Sequence, residues 1–525
     1  ANIVHSLRFA RKEYGKFRKL FLQTATGLGF DGATKIHFDK VMEELNKSKT
    51  NDMPFYFSDM IGYGTFKKST HVVENTSTQY YALATNFDLT ALSNRAVSIY
   101  INGVQLIHGT DYKFESAYAG FVTITKTKVI NDVIEIIFNN QLDEPSAVHW
   151  HGIRNINSMD GVPVLSQPLV EPGESFVYRF PVKDAGTFWY HAHNKAWEQV
   201  TRGLYGPLIV SDNDQLNEKN DILVLADDWL LNENLQMDVS SLGNLHDWSH
   251  AGRYGNRLTI NGVFKPNIEV FSSGHARLRF LNTANARVLK FMLNDDIYFR
   301  VIAADGSPCN PFKTNKVVLG PGQRIDILID ETSKLTHLKE VSTGNELVAA
   351  TFEPKNKSVS VLDFNKKPYY PFPPLNNAKV INIHMQGGAM GNLKSAILNG
   401  ERREFRDLAL NETKLWAFNE NVGDYNYKIA NLKLGEIFIL RCWNDTRWPH
   451  TMHLHGHHFW VNSKEFENLE IDLLRDTYLM QPGEKADLIF IANNPGKWLF
   501  HCHMLEHHAS GTVSYTHLRA HETRH

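Results

Sequence analysis

Hydrophobic and polar positions change their pattern several times along the chain. Over residues 1–70 charged and apolar positions mix without a strand period, and HFDKVMEELNKSK carries the best amphipathic helical spacing. From about Val72 to Asn140, short β-branched and aromatic runs alternate with turn residues, as in VSIYINGVQLI, GFVTITKT and DVIEIIF. The same texture continues through GTFWYHAH and GLYGPLIVSD, and the polar stretch from Asp212 to Glu218 suits a linker. DILVLADD, RLTING, ARLRFLN and RIDILID then predict a second β-domain. The Pro-rich KKPYYPFPPLNN at 366–377 reads as an extended connection to a third. The predicted class is all-β, with sandwich domains at 71–212, 213–365 and 378–512, a charged and partly helical segment at 1–70, and a polar, basic tail at 513–525 set aside as foreign to the third domain.

Length agrees with this division, because 525 residues at roughly 150 per domain give three or four domains. The formal net charge of −2 offers no broad basic field for nucleic acid. No apolar run approaches the roughly 18 residues of a membrane helix, and the opening ANIVHSLRFARKEYGKF lacks the apolar core of a secretory signal. Three cysteines, Cys309, Cys442 and Cys502, exclude a disulfide framework.

Histidine spacing carries the chemistry. With 25 histidines in 525 residues, about one His-X-His pair is expected by chance. The chain has His149/His151, His191/His193, His453/His455, His455/His457 and His501/His503. On a strand, alternation sends both histidines of a pair to one face, so in His501-Cys502-His503 the thiol points away from its neighbours. One triplet could then feed two metal sites. Cys502 with His450 and His507 forms a thiolate-containing set of the kind that holds an electron-transfer copper. The remaining pairs, without His457, supply eight imidazoles from opposite ends of the chain, 149–193 and 453–503. Such a cluster suits several copper ions and dioxygen between them.

The motifs HWHG (149–152), HAH (191–193), HTMHLHGH (450–457) and HCHMLEH (501–507), in this order, resemble the multicopper oxidases, the family of laccases, copper-efflux oxidases and bilirubin oxidases. The resemblance covers about residues 132–511 and implies three cupredoxin-like Greek-key β-sandwich domains, the first from about 132. It implies four copper ions. His450, Cys502 and His507 would hold type 1 copper, His149 and His453 type 2, and His151, His191, His193, His455, His501 and His503 the type 3 pair. It also implies one-electron oxidation of a phenol, aromatic amine or cuprous ion coupled to reduction of dioxygen to water, in a periplasmic or secreted monomer. His507 would be the more exposed type 1 ligand and receive the electrons.

Asp160 stands where several bacterial members place a carboxylate beside the imidazole cluster; the plainer reading is a turn residue in Met-Asp-Gly. The carboxylate that some bacterial relatives place after the last type 1 histidine is His508 here, and the axial type 1 position is Thr512, where relatives have methionine, leucine or phenylalanine. His457 and His458 read as supporting or packing residues, Cys309 and Cys442 as buried small hydrophobes, and Met385 and Met390 as ordinary core or loop content. The stretch IYINGVQLIHGTDYKFESAYAGFVTITKTKVINDVIEI resembles β-modules of phage tail and other virion structural proteins, which implies a junction near residue 135. Two other readings remain open at this point. A copper nitrite reductase is opposed by the eight imidazoles, and a virion-type structural chimera by the intact ligand set.

Overall fold

The computed structural model describes residues 133–519, apart from 211–219, 295–296, 359–363, 365 and 464–472, together with four short strands between 99 and 124. The segment expected at 1–70 and the linker at 212–218 lie outside the described residues.

In the first domain, strand Val133–Asn139 pairs antiparallel with Ser175–Pro181 and Ile99–Ile101, while Val148–His151, Gly186–Ala192 and Tyr205–Val210 form a three-stranded sheet. Strand alternation in Val148–His151 sends Trp150 into a core with Tyr178, Phe180 and Phe188, and leaves His149 and His151 on the opposite face.

The second domain packs a six-stranded sheet on a five-stranded one. Along Ala276–Asn282, Leu278 and Phe280 enter the core, which also holds Cys309, whereas the buried Arg277 and Arg279 are paired with Asp326 and Asp221. Parallel pairing of Asp221–Trp229 with Ala276–Asn282, and of Lys379–Gly387 with Ile437–Asn444 in the third domain, requires the long crossovers of Greek-key sandwiches.

The third domain has a six-stranded sheet and a five-stranded sheet in the spatial order Lys428–Lys433, Val513–Arg519, Gly496–Cys502, His450–Leu454, Thr477–Met480. Its core includes Leu440, Cys442, Met452, Leu454, Phe490, Phe500 and Cys502. The third domain extends beyond the end expected at 512. Residues 513–519 form a strand pairing with Gly496–Cys502, from Gly496↔Leu518 to His501↔Val513. Leu518 is buried in the core, and the buried hydroxyls of Ser514 and Thr516 donate to the Phe500 and Trp498 carbonyls. Those hydroxyls made the segment read as polar.

The Pro-rich connection fastens the outer domains together. Tyr369 Oη donates to the Ala185 carbonyl in the first domain at 2.7 Å, Tyr370 Oη donates to the His458 carbonyl in the third, and Arg154, bidentate to Asp184, lies over both rings. Among the described residues no helix is long and apolar enough to cross a membrane.

Candidate metal centre

Two neighbouring strands of the third domain carry ligands for two sites. His450–Leu454 pairs with Gly496–Cys502 so that Met452 opposes Cys502 and His453 opposes His501. Alternation turns Met452 and Cys502 into the sandwich core and His453 and His501 outward. That outward face meets the face of the first domain bearing His149, His151, His191 and His193, as ring contacts such as His149–His455, stacked at 3.9 Å, show. The eight imidazoles thus gather between the first and third domains. Gly322 of the second domain closes in at a left-handed φ of +83°, where a Cβ would lie 3.0 Å from His503 Cγ and 3.1 Å from His151 Cε1.

Donor atoms within 4.8 Å of one another sort the histidines into His151–His191–His503, His193–His455–His501 and His149–His151–His453, with His450–Cys502–His507 as a separate group. A metal with bonds of about 2 Å can bridge such spacings. Hydrogen bonds fix which nitrogen is offered. The Nδ1–H groups of His149, His191, His453 and His501 donate to the carbonyls of Asp160, Ala192, Asp476 and Cys502 at 2.7–3.0 Å, which leaves Nε2 as a lone pair. His507 is reversed: Nε2–H donates to the His250 carbonyl at 2.7 Å, and Nδ1 faces Cys502 Sγ at 3.9 Å. His149 Nε2, His453 Nε2, His151 Nδ1 and both nitrogens of His193 and His450 are buried without hydrogen-bond partners. Burying such atoms costs desolvation energy that a metal bond offsets, and imidazole with thiolate is a donor set that suits copper, so the residues present fit it.

Burial also sets the protonation states. It holds His191, His193, His450, His453, His455, His501 and His503 well below the usual histidine range, and brings His151 to about 3 and His507 to about 4. Neutral imidazole is the ligand form. Burial pushes the Cys502 thiol up to about 12, so only a bound cation would make it a thiolate at neutral pH.

Two carboxylates grip the imidazoles from behind. Asp160 Oδ2 accepts from His455 Nδ1 at 2.9 Å and its Oδ1 lies 3.3 Å from His149 Nδ1; burial raises its pKa. Asp476 was not singled out by sequence reading. Its Oδ1 lies 3.2 Å from His151 Nε2, its carbonyl accepts from His453 Nδ1, and Thr477 Oγ1 is 2.9 Å from His151 Nε2. Burial favours the neutral acid, but the Arg324 guanidinium and His151 outweigh it and hold the carboxyl well below the usual range. Arg324 comes from the second domain, whose sequence holds none of the His-X-His pairs.

Around Cys502 the arrangement departs from one expectation. His507 is not exposed: it is fully buried, with Trp416 against its ring at 4.3 Å and the His250 carbonyl on its Nε2. Thr512 is buried, with Oγ1 lacking a hydrogen-bond partner. Of the neighbouring residues, His457 packs edge-on against Trp498 and Phe490, His458 lies 3.5 Å from Asp476 Oδ2, and His508 packs against His501 at 4.3 Å and Tyr425 at 5.9 Å. Met385 is core, and Met390 is exposed.

Three family models described as multicopper oxidase match residues 122–215, 220–336 and 400–516. The chain is 28% identical over 399 residues to the multicopper oxidase mco of Staphylococcus haemolyticus, covering 73% of this chain and 78% of that one. It is 27% identical over 431 residues to Laccase-1 of Botryotinia fuckeliana, covering 73% and 74%. The crystal structure of a multi-copper oxidase from Pseudomonas thermotolerans matches with 30% identity and a TM-score of 0.60 over 74% of this chain and 90% of that one. The virion-type module expected at residues 99–136 finds no support, and the oxidase match begins inside it, at 122. With all three cupredoxin domains matched and the histidine clusters assembled, the chain belongs to the multicopper oxidase family of copper-dependent oxidoreductases.

Proposed function

We propose that the protein binds four copper ions and couples one-electron oxidation of a small reducing substrate to four-electron reduction of dioxygen to water. One ion would sit at His450, Cys502 and His507, one at His149 and His453, and a pair at His151, His191 and His503 and at His193, His455 and His501. Copper, when bound, supplies electron acceptance at the thiolate group and oxygen reduction at the imidazole cluster. The observation that carries the reading is the pairing of His450–Leu454 with Gly496–Cys502, which sets Cys502 in the core and His501 on the outer face one peptide apart. The chain's own residues provide the rest. Backbone carbonyls fix the imidazole tautomers, and burial excludes water from competing donors. Asp160 Oδ2 stays engaged with His455 while Oδ1, buried without a hydrogen-bond partner, can hold a proton for an oxygen reduction that consumes protons.

The test is to load the purified chain with copper and measure copper per protein, visible absorption and oxygen uptake with a phenolic and an inorganic donor. A blue protein consuming oxygen is expected. A colourless protein without uptake would overturn the reading.

A further inference from the structure

One indole covers a single three-imidazole group. Between centroids, the buried Trp189 ring lies 4.4 Å from His191, 5.1 Å from His151 and 5.3 Å from His503, which together form one of the ligand groups. A buried indole N–H usually finds an acceptor, but Trp189 Nε1 has none. A phenol stands beside it. Tyr205 opposes His191 in the antiparallel pairing of Gly186–Ala192 with Tyr205–Val210, so the two side chains share a face with Cβ atoms about 5 Å apart. Tyr205 also shares a buried apolar cluster with Trp189, Leu225, Leu281 and Leu505, drawn from all three domains. Its hydroxyl, unlike the indole N–H, has an acceptor: it donates at 2.5 Å to Oδ2 of the buried Asp227, on strand Asp221–Trp229 of the second domain. Asp227 Oδ1 accepts from the Asp228 amide at 2.8 Å. Burial and the Asp228 carboxylate raise the pKa of Asp227, which makes its ionised form the stronger base.

We propose that Tyr205 is an electron reserve of the imidazole cluster: it gives one electron to oxidised copper there and, in the same step, its phenolic proton to Asp227 Oδ2. The proposal rests on the oxidase reading above. The electron count gives the reserve a use. Reducing dioxygen to two waters takes four electrons, the three cuprous ions of the imidazole cluster hold three, and the fourth must come from the thiolate group. When oxygen arrives while that group is oxidised, Tyr205 supplies the missing electron. The step breaks the Tyr205 O–H bond and forms an O–H bond on Asp227, leaving a neutral tyrosyl radical, a neutral carboxylic acid and copper reduced by one unit. The next substrate electron, arriving through Cys502, reduces the radical, and the proton returns to the phenol oxygen. Proton transfer decides which ring holds the oxidation. A buried phenol gives up an electron readily only when a base takes its proton at once, and Tyr205 has that base. Trp189 has none, so it relays charge between Tyr205 and the imidazoles without keeping it.

The test withholds the fourth electron. In the full chain, Cys502→Ser removes the thiolate and leaves the cluster ions; fold is checked by circular dichroism and copper per protein is measured. The loaded variant is reduced with dithionite, freed of excess, mixed with oxygen and frozen at successive times for electron paramagnetic resonance. A radical signal should form, and it should narrow when the protein is made with ring-deuterated tyrosine. Adding Tyr205→Phe should abolish it, and adding Asp227→Asn should slow its appearance about 100-fold, the effect of removing a positioned proton acceptor. If Cys502→Ser does not fold, the unaltered chain given three reducing equivalents per molecule takes its place. Oxygen consumption without a radical signal would overturn the proposal. So would a signal that survives Tyr205→Phe, ignores the deuterium or forms as fast after Asp227→Asn. A chain that takes up no copper, or leaves oxygen unconsumed after reduction, defeats the oxidase reading and the proposal with it.

Discussion

Replacing Arg324 by methionine should loosen the joint at which all three domains meet. The guanidinium is fully buried, and each of its five N–H groups has an acceptor: Nε to Thr187 O at 3.0 Å, Nη1 to Gly322 O at 3.1 Å and Asp476 Oδ1 at 2.7 Å, Nη2 to Asp305 O at 2.9 Å and Asp476 Oδ2 at 2.6 Å. Thr187 belongs to the first domain, Gly322 and Asp305 to the second, Asp476 to the third. Methionine fills the volume but removes the cation that pairs with the buried Asp476 carboxylate and one donor from each of three carbonyls. Breaking a buried pair from one side costs about 3–5 kcal/mol. Lysine keeps the charge but has three donors without the planar fork, so Arg324→Lys should cost about 1–3 kcal/mol. At roughly 2–4 °C per kcal/mol, the methionine variant of the metal-free protein should melt about 10 °C lower and the lysine variant about 5 °C lower. Copper binding should weaken in parallel, because Asp476 orients His151 and His453. Scanning calorimetry and copper titration read both effects. A methionine variant melting within about 1 °C of the parent would refute the reasoning.

Other substitutions and conditions give separate expectations. Asp160→Asn should keep copper, since the amide oxygen can still accept from His455 Nδ1, yet oxygen uptake should fall about 100-fold; unchanged uptake would remove Asp160 from proton delivery. Thr512→Val removes a buried, unpartnered hydroxyl and should raise the type 1 potential by making the site less polar, as read by redox titration; a fixed potential would show that the hydroxyl does not act on the site. His151 and His508 are each pushed to about 3 by burial in the fold but titrate near 6.5 when unfolded. The unfolded chain then binds more protons below pH 6.5, so stability of the metal-free protein is full above 6.5 and falls as pH drops toward about 3. A melting temperature independent of pH in that window would contradict this.

The ligands were legible because each pair lies on a strand, where a spacing of two is itself a statement about geometry. His149 and His151 share a face for the same reason that Trp150 does not. Of their supports Asp160 was legible, but Asp476 and Arg324 were not, because Asp476 reaches His151 across 325 residues of chain and Arg324 reaches Asp476 across 152. The exposure expected for His507 failed for a related reason. What covers it is a peptide carbonyl 257 residues away, and no side-chain pattern announces a main-chain acceptor. The last strand was missed because Ser514 and Thr516 occupy buried positions by bonding their hydroxyls to the neighbouring strand's carbonyls, which composition reads as polarity.

That last strand has a consequence for handling the protein. Val513–Arg519 lies between Gly496–Cys502 and Lys428–Lys433, so it alone keeps the strand carrying His501 and Cys502 from being a sheet edge. Cutting the chain after Thr512 would bare a row of unpaired amides and carbonyls beside Trp498, Leu499 and Phe500, an open template for intermolecular pairing. A truncated product is therefore expected to accumulate as insoluble aggregate before its copper chemistry can be assayed, even though every ligand remains in its sequence.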